Sequence, residues 1–232
     1  MSDPPRPAPD KQQSPKSMNG SGAAQTAYLA LYNLVSAILW GVIFVRVALV
    51  TPGWGSAYVY ESTGAFVKWT QTLAALEIGH SVFGTTLPCP PKKTVGDNVE
   101  ANPRGDAGLV RAPLFTTLLQ VGSRLLMVWG IWHFFPGVPA REWATATMLL
   151  AWSATETVRY GFFFGQLGGL EDVGGTPPWL TWLRYNTFFV LYPMGISSEC
   201  WLIYKSIGPA VERDERLGYV LGAILAGYIP GT

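Results

Sequence analysis

Charge is scarce in this sequence. Asp, Glu, Lys and Arg make up 13% of its 232 residues, against roughly 25% in an ordinary soluble domain. The formal net charge is +1, which gives no basic face of the kind that nucleic acid calls for. Cysteine is equally rare. Cys89 and Cys200 are the only two, which excludes a disulfide framework, and neither belongs to a C-x-x-C or Cys/His metal spacing. Cys200 lies in an apolar stretch and reads as a packed, inert thiol. The first residues also lack the apolar core of a signal peptide. Residues 1–26 are rich in Pro, Ser, Gly and Gln; such a composition does not offset its own ordering entropy, and they read as a disordered tail.

What the sequence has is apolar and aromatic. Hydrophobic residues account for 49% of it, with ten Trp, ten Tyr and eleven Phe. Six apolar segments follow the tail, at 28–50, 65–87, 114–135, 143–165, 179–204 and 217–229. Most exceed the roughly 20 residues needed to cross ~30 Å of hydrocarbon at 1.5 Å per residue. Backbone groups in lipid must be satisfied internally, so these segments are helices. The expected fold is all-α, a polytopic membrane bundle of about six transmembrane helices over residues 27–232. A soluble helical bundle with a very apolar core is the alternative.

The connections are short except for 88–110, whose Pro, Gly and mixed charges mark a flexible polar insert. A cytoplasmic tail puts Arg6, Lys11, Lys16, Lys92, Lys93, Arg104 and Arg111 inside and Lys68, Arg141, Lys205, Arg213 and Arg216 outside. Seven against five favours a cytoplasmic N-terminus. Trp143, Trp179 and Trp182 near segment ends suit interfacial belts. The absence of an internal repeat argues against the common transporter folds.

Several ionisable groups nevertheless sit at membrane depth: Glu77, His80, Arg124, Glu156, Arg159, Arg184 and Glu199. Each could simply pair with another to fix helix packing. Together they imply a polar interior or a water-filled cavity. Glu77-x-x-His80 resembles half of a di-iron motif, but the only comparable spacing is Glu156-x-x-Arg159, and arginine does not bind metal. No metal is expected. Glu156 and Arg159, three apart, suit an intrahelical ion pair, and Arg159 beside Tyr160 could also serve a ligand phosphate or carboxylate.

The stretch 191–201, LYPMGISSECW, places a carboxylate inside an apolar run, where a charge costs about 2.5–3.5 kcal/mol on insertion scales. Seven residues return an ideal helix to within about 20° of its starting direction. Tyr185, Tyr192 and Glu199 should therefore form one stripe, with Arg184 at its head. Tyr192 and Glu199 would stand about 10 Å apart along the axis, with Pro193 and Gly195 loosening the turns between them. A phenol and a carboxyl approaching one substrate from two sides suit proton transfer. The same two residues would equally suit a buried Tyr–Glu hydrogen bond that clamps helices.

Beyond single motifs, the sequence resembles the 3-hydroxyacyl-CoA dehydratase family of eukaryotic fatty-acid elongation, once called protein tyrosine phosphatase-like proteins. The matching stretches are YLALYNLVSAILW (28–40), LAALEIGHSVFG (73–84), RAPLFTTLLQVGSRLLMVWGI (111–131), LLAWSATETVRYGFFF (149–164), LRYNTFFVLYPMGISSE (183–199) and AILAGYIPG (223–231). The resemblance implies that Tyr192 and Glu199, in LYP-x-G-x-x-x-E, are the catalytic pair. A cysteine phosphatase would need Cys-x5-Arg, but Ser206 and Val95 stand six residues after Cys200 and Cys89. The insert at 88–110 departs from the family's usual short connection. The family also continues past Thr232 into a basic cytosolic tail, which implies a C-terminally truncated chain.

The resemblance further implies dehydration of long- and very-long-chain (3R)-3-hydroxyacyl-CoA to trans-2-enoyl-CoA in the endoplasmic reticulum membrane. Membrane lipid and an acyl-CoA substrate would be the partners, beside the elongase, the 3-ketoacyl-CoA reductase and the enoyl-CoA reductase. Elimination changes no oxidation state, so no cofactor is expected. Arg111, Arg124, Arg159, Arg184 and Tyr185 are candidates for positioning the substrate. A non-catalytic scaffold of the elongation complex is the alternative, and would predict a lost Tyr192 or Glu199. A transporter ranks behind both.

Overall fold

The computed structural model describes residues 20–76, 78, 111–170 and 175–228. Every regular element among them is a helix. Helix α1 (Gly20–Leu73) precedes α2 (Arg111–Leu125), which runs through a π-helical turn, Leu126–Ile131, into the short α3 (Trp132–Phe134). Then come α4 (Gly137–Arg141), α5 (Ala144–Phe164) with a second π-helical turn at Gly165–Gly169, α6 (Pro178–Asn186), α7 (Phe188–Arg213) and α8 (Glu215–Tyr228). The first helix begins inside the stretch read as a tail. The rest of that tail, the insert at 88–110, and Glu77 and His80 lie outside the described residues.

Beyond the first apolar segment, which ends at Val50, the helix continues through Pro52 and breaks at Gly55 (φ 76°, ψ 177°). The tyrosine hydroxyl of Tyr32 donates to the carbonyl of Leu73 at 3.3 Å. On a straight helix these residues would lie about 60 Å apart at 1.5 Å per residue. The two arms of α1 are therefore folded back on one another, as the first two expected segments require. Pro52 is tolerated because the chain turns within a few residues of it. Gly55 is the position that needs its residue type, since its φ/ψ region is essentially restricted to glycine. A Cβ added there would meet nothing within 4 Å, so the effect of Gly55→Ala is one of backbone alone. It should lower stability by about 1–3 kcal/mol, and Gly53→Ala, equally open, should do far less. Thermal unfolding in detergent compares the two, and equal midpoints would refute the assignment.

The central element is α5, which packs against α1, α6 and α7, while α7 pairs with α8. Its inward residues Met148, Leu149 and Trp152 join Trp40, Met127 and Leu202 in one core. The second arm of α1 is tied to the π-helical turn and α3 by polar contacts. The Trp129 indole donates to Thr72 Oγ1 at 2.9 Å, and the Tyr60 hydroxyl donates to the Trp132 carbonyl at 3.1 Å. The outer surface is strongly apolar, with Leu49 and Phe189 each 73% exposed.

Only one described helix has both the length and the hydropathy to cross a membrane, Ala24–Leu73. The fifth expected segment is divided. Its break falls at Thr187, between α6 and α7, and not at Pro193, which sits inside continuous helix. The interruption is confined to that residue, whose backbone stays near helical values (φ −66°, ψ −22°) and whose hydroxyl donates back to the Leu183 carbonyl at 2.7 Å.

Candidate active site

Glu199 is the buried carboxylate of α7, 6% exposed. Its depth follows from a close approach: a Cβ on Gly195 would stand 3.6 Å from Ala151 Cβ and 3.9 Å from the Trp152 ring. Glycine one turn before Glu199 thus lets α7 settle onto α5. Both carboxylate oxygens are then engaged. The Trp152 indole N–H donates to Oε1 at 2.8 Å, and the Tyr228 hydroxyl donates to Oε2 at 2.9 Å. Three helices, α5, α7 and α8, converge on one carboxyl group.

Tyr192 lies on the same helix but in a different setting. It is 43% exposed and stacks on Phe188, with ring centroids 4.7 Å apart. Phe188 lies one turn earlier, the direction in which helical side chains lean, so the phenol inclines away from Glu199. The expected stripe is not continuous: Tyr185 belongs to α6, is 67% exposed and meets the edge of Phe162. Tyr192 and Glu199 do share one uninterrupted helix, with seven residues, about 10 Å of rise, between them.

A second polar cluster adjoins the first. Glu156, 4% exposed, accepts from Arg159 Nε at 2.8 Å and Nη2 at 2.5 Å through Oε2, and from Arg124 Nη1 through Oε1. The intrahelical ion pair expected at Glu156 and Arg159 is therefore half of a three-membered cluster that ties α2 to α5. Arg124 also lies over the Trp152 ring at 5.2 Å, a favourable cation–π arrangement, and within electrostatic reach of Glu199. Arg159 lies over Tyr160 at 4.2 Å. Arg184 lies over Phe163 at 5.3 Å and feels both Arg159 and Glu156. Among the described residues, two of these guanidinium groups pair with Glu156 and the third, Arg184, lies nearby, one more positive charge than the two carboxylates Glu156 and Glu199 supply. The side chain of Arg111 lies outside the described residues.

Arg124 is the last charged residue before the π-helical turn at Leu126–Ile131. Such turns occur frequently at functional sites, and periodicity gives no sign of this one. Trp152 and Tyr228 were not singled out in the sequence either, since their partner lies 47 and 29 residues away.

The family model described as "Protein tyrosine phosphatase-like protein, PTPLA" matches residues 106–232. The chain is 39% identical over 183 residues to a Schizosaccharomyces pombe protein named a probable very-long-chain (3R)-3-hydroxyacyl-CoA dehydratase, covering 77% of this chain and 73% of that one. It is 34% identical over 230 residues to the rice dehydratase PASTICCINO 2B, covering 93% and 90% of the two chains. With the Arabidopsis thaliana dehydratase PASTICCINO 2 the identity is 33% over 219 residues, covering 88% and 86%. No solved structure matches.

Proposed function

Because the chain belongs to the protein tyrosine phosphatase-like (PTPLA) family, we propose that it dehydrates long- and very-long-chain (3R)-3-hydroxyacyl-CoA to trans-2-enoyl-CoA. It is then a hydro-lyase of the fatty-acid elongation cycle. The observation that carries the reading is Glu199, a carboxylate 6% exposed in an apolar bundle with both oxygens hydrogen-bonded. Burial of this kind is expensive unless the group is used.

In the elimination, the C2–H bond beside the thioester breaks and its electrons form the C2=C3 bond. The C3–O bond breaks in turn, and the departing hydroxyl takes a proton to leave as water. One group must remove a proton and another must supply one. Tyr192 and Glu199 are the pair proposed for these roles. They do not touch: Tyr192 stacks on Phe188, and its side chain would have to turn toward Glu199 for both groups to reach the neighbouring carbons of one substrate. The surplus positive charge of Arg124, Arg159 and Arg184 suits an anionic part of the substrate, such as the CoA phosphates, with Tyr185 exposed beside them.

The apolar outer surface supports a multi-pass arrangement of about six spans with a cytoplasmic N-terminus. The acyl chain would lie in lipid or between helices while the CoA stays in water. The endoplasmic reticulum is the compartment of such elongation. There the 3-ketoacyl-CoA reductase would supply the substrate, the enoyl-CoA reductase would consume the product, and the elongase would complete the set of partners.

The test is enoyl-CoA formation by the purified protein in detergent, followed by chromatography. Wild type should form product from a long-chain (3R)-3-hydroxyacyl-CoA. Tyr192→Phe, which keeps the stack on Phe188, should lose about 100-fold or more in turnover, within the usual range for a lost acid or base. Inactive wild type that is folded and monodisperse would remove the proposal.

A further inference from the structure

The two partners of Glu199 differ in chemistry. An indole N–H only donates, whereas a phenolic hydroxyl both donates and accepts. Trp152 therefore fixes Oε1 as an acceptor whatever the protonation state of Glu199. At Oε2 the Tyr228 hydroxyl donates when the carboxyl is ionised, and rotates to accept when that oxygen carries a proton. One face of the carboxyl is constant and the other adapts.

We propose that Tyr228 is a positioning residue of this site, holding the Oε2 oxygen of Glu199 as the one that gains and loses the proton. The proposal rests on Glu199 being an acid–base group of the dehydratase reading. Tyr228 forms no bond to the substrate and transfers no proton to it; it acts through Glu199 alone. The remaining charged or titratable groups around Glu199 are Arg124, from α2, and Cys200, its own neighbour on α7. Among the described residues neither hydrogen-bonds to its oxygens, which leaves Tyr228 as the partner able to follow the proton. Tyr228 closes the last turn of α8, so this helix contributes to the site and does more than cover the bundle.

The experiment is steady-state kinetics of the full chain in detergent with a long-chain (3R)-3-hydroxyacyl-CoA, comparing wild type, Glu199→Gln, Tyr228→Phe and Tyr219→Phe. Tyr219 is the control: it lies on the same helix, 71% exposed, and its hydroxyl donates to Glu215. The expected result for Tyr228→Phe is a fall in kcat of about ten- to hundredfold, the worth of one hydrogen bond to a charged group, with KM within twofold of wild type. Tyr219→Phe should match wild type. An active wild type and an inactive Glu199→Gln, with Tyr228→Phe unchanged in kcat, would overturn the Tyr228 assignment alone. A loss in Tyr228→Phe that falls on KM, or loss of its monodisperse elution, would assign the hydroxyl to binding or folding and overturn it equally. No product from wild type, or an undiminished Glu199→Gln, would overturn both the assignment and the reading beneath it.

Discussion

Glu199→Gln is expected to lower turnover of a long-chain (3R)-3-hydroxyacyl-CoA by about two to four orders of magnitude, the range for loss of a positioned acid or base, without unfolding the protein. The substitution changes little else. Glutamine has the same shape, and its carbonyl oxygen still accepts from the Trp152 indole, now 2.8 Å from Oε1. Its amide nitrogen can donate to the Tyr228 oxygen, which accepts as readily as it donates. Packing of α7 on α5 at Gly195 and Ala151 is untouched. The ability to exchange a proton is removed, together with a charge that no guanidinium group among the described residues pairs with directly, although Arg124 lies within its reach. The signature is a large fall in kcat per folded molecule, beside a thermal midpoint within a few degrees of wild type. A variant that keeps a tenth or more of wild-type turnover would end the case for Glu199 as an acid or base, whatever the family resemblance implies.

The sequence told some of this plainly and the rest not at all, for physical reasons. An apolar run interrupted by one carboxylate marks a residue whose burial needs explaining, and Glu199 is buried. Three-residue spacing is a property of the helix itself, so Glu156 and Arg159 could be paired without knowing the fold. That reasoning reaches only one turn along a chain. Arg124 joins Glu156 from 32 residues away, and Tyr228 joins Glu199 from the far side of the α7–α8 turn. Seven-residue spacing predicts a shared direction but not which neighbours crowd each side chain, and Tyr185, Tyr192 and Glu199 end in three different settings. Pro193 was expected to loosen the turns between Tyr192 and Glu199, yet it sits inside continuous helix. Pro52 too lies within helix, and the chain breaks three residues later, at Gly55. The faces of the helices were legible, but their partners across the bundle were not.

Removing the other buried carboxylate should damage the fold where Glu199→Gln spares it. Glu156 accepts from guanidinium groups on two helices, and the side chains of Arg124 and Arg159 are themselves only 21% and 23% exposed. In Glu156→Gln both arginines remain largely buried, with Arg184 adding a third positive charge nearby. An amide presents one acceptor where two oxygens served before. Breaking a buried pair by removing one partner typically destabilises by about 3–5 kcal/mol, because the charge left behind is uncompensated. For a chain of this size that corresponds to a thermal midpoint roughly 10 °C lower. Arg159→Met should cost less, since Glu156 would keep Arg124 and one fewer cation would need a partner. The order of midpoints in detergent, wild type above Arg159→Met above Glu156→Gln, is therefore the result expected. Near-equal midpoints would show that the cluster does not hold α2 to α5. Its surplus charge would then have no structural role, and substrate binding, read as a rise in KM for the CoA thioester, would be its remaining one.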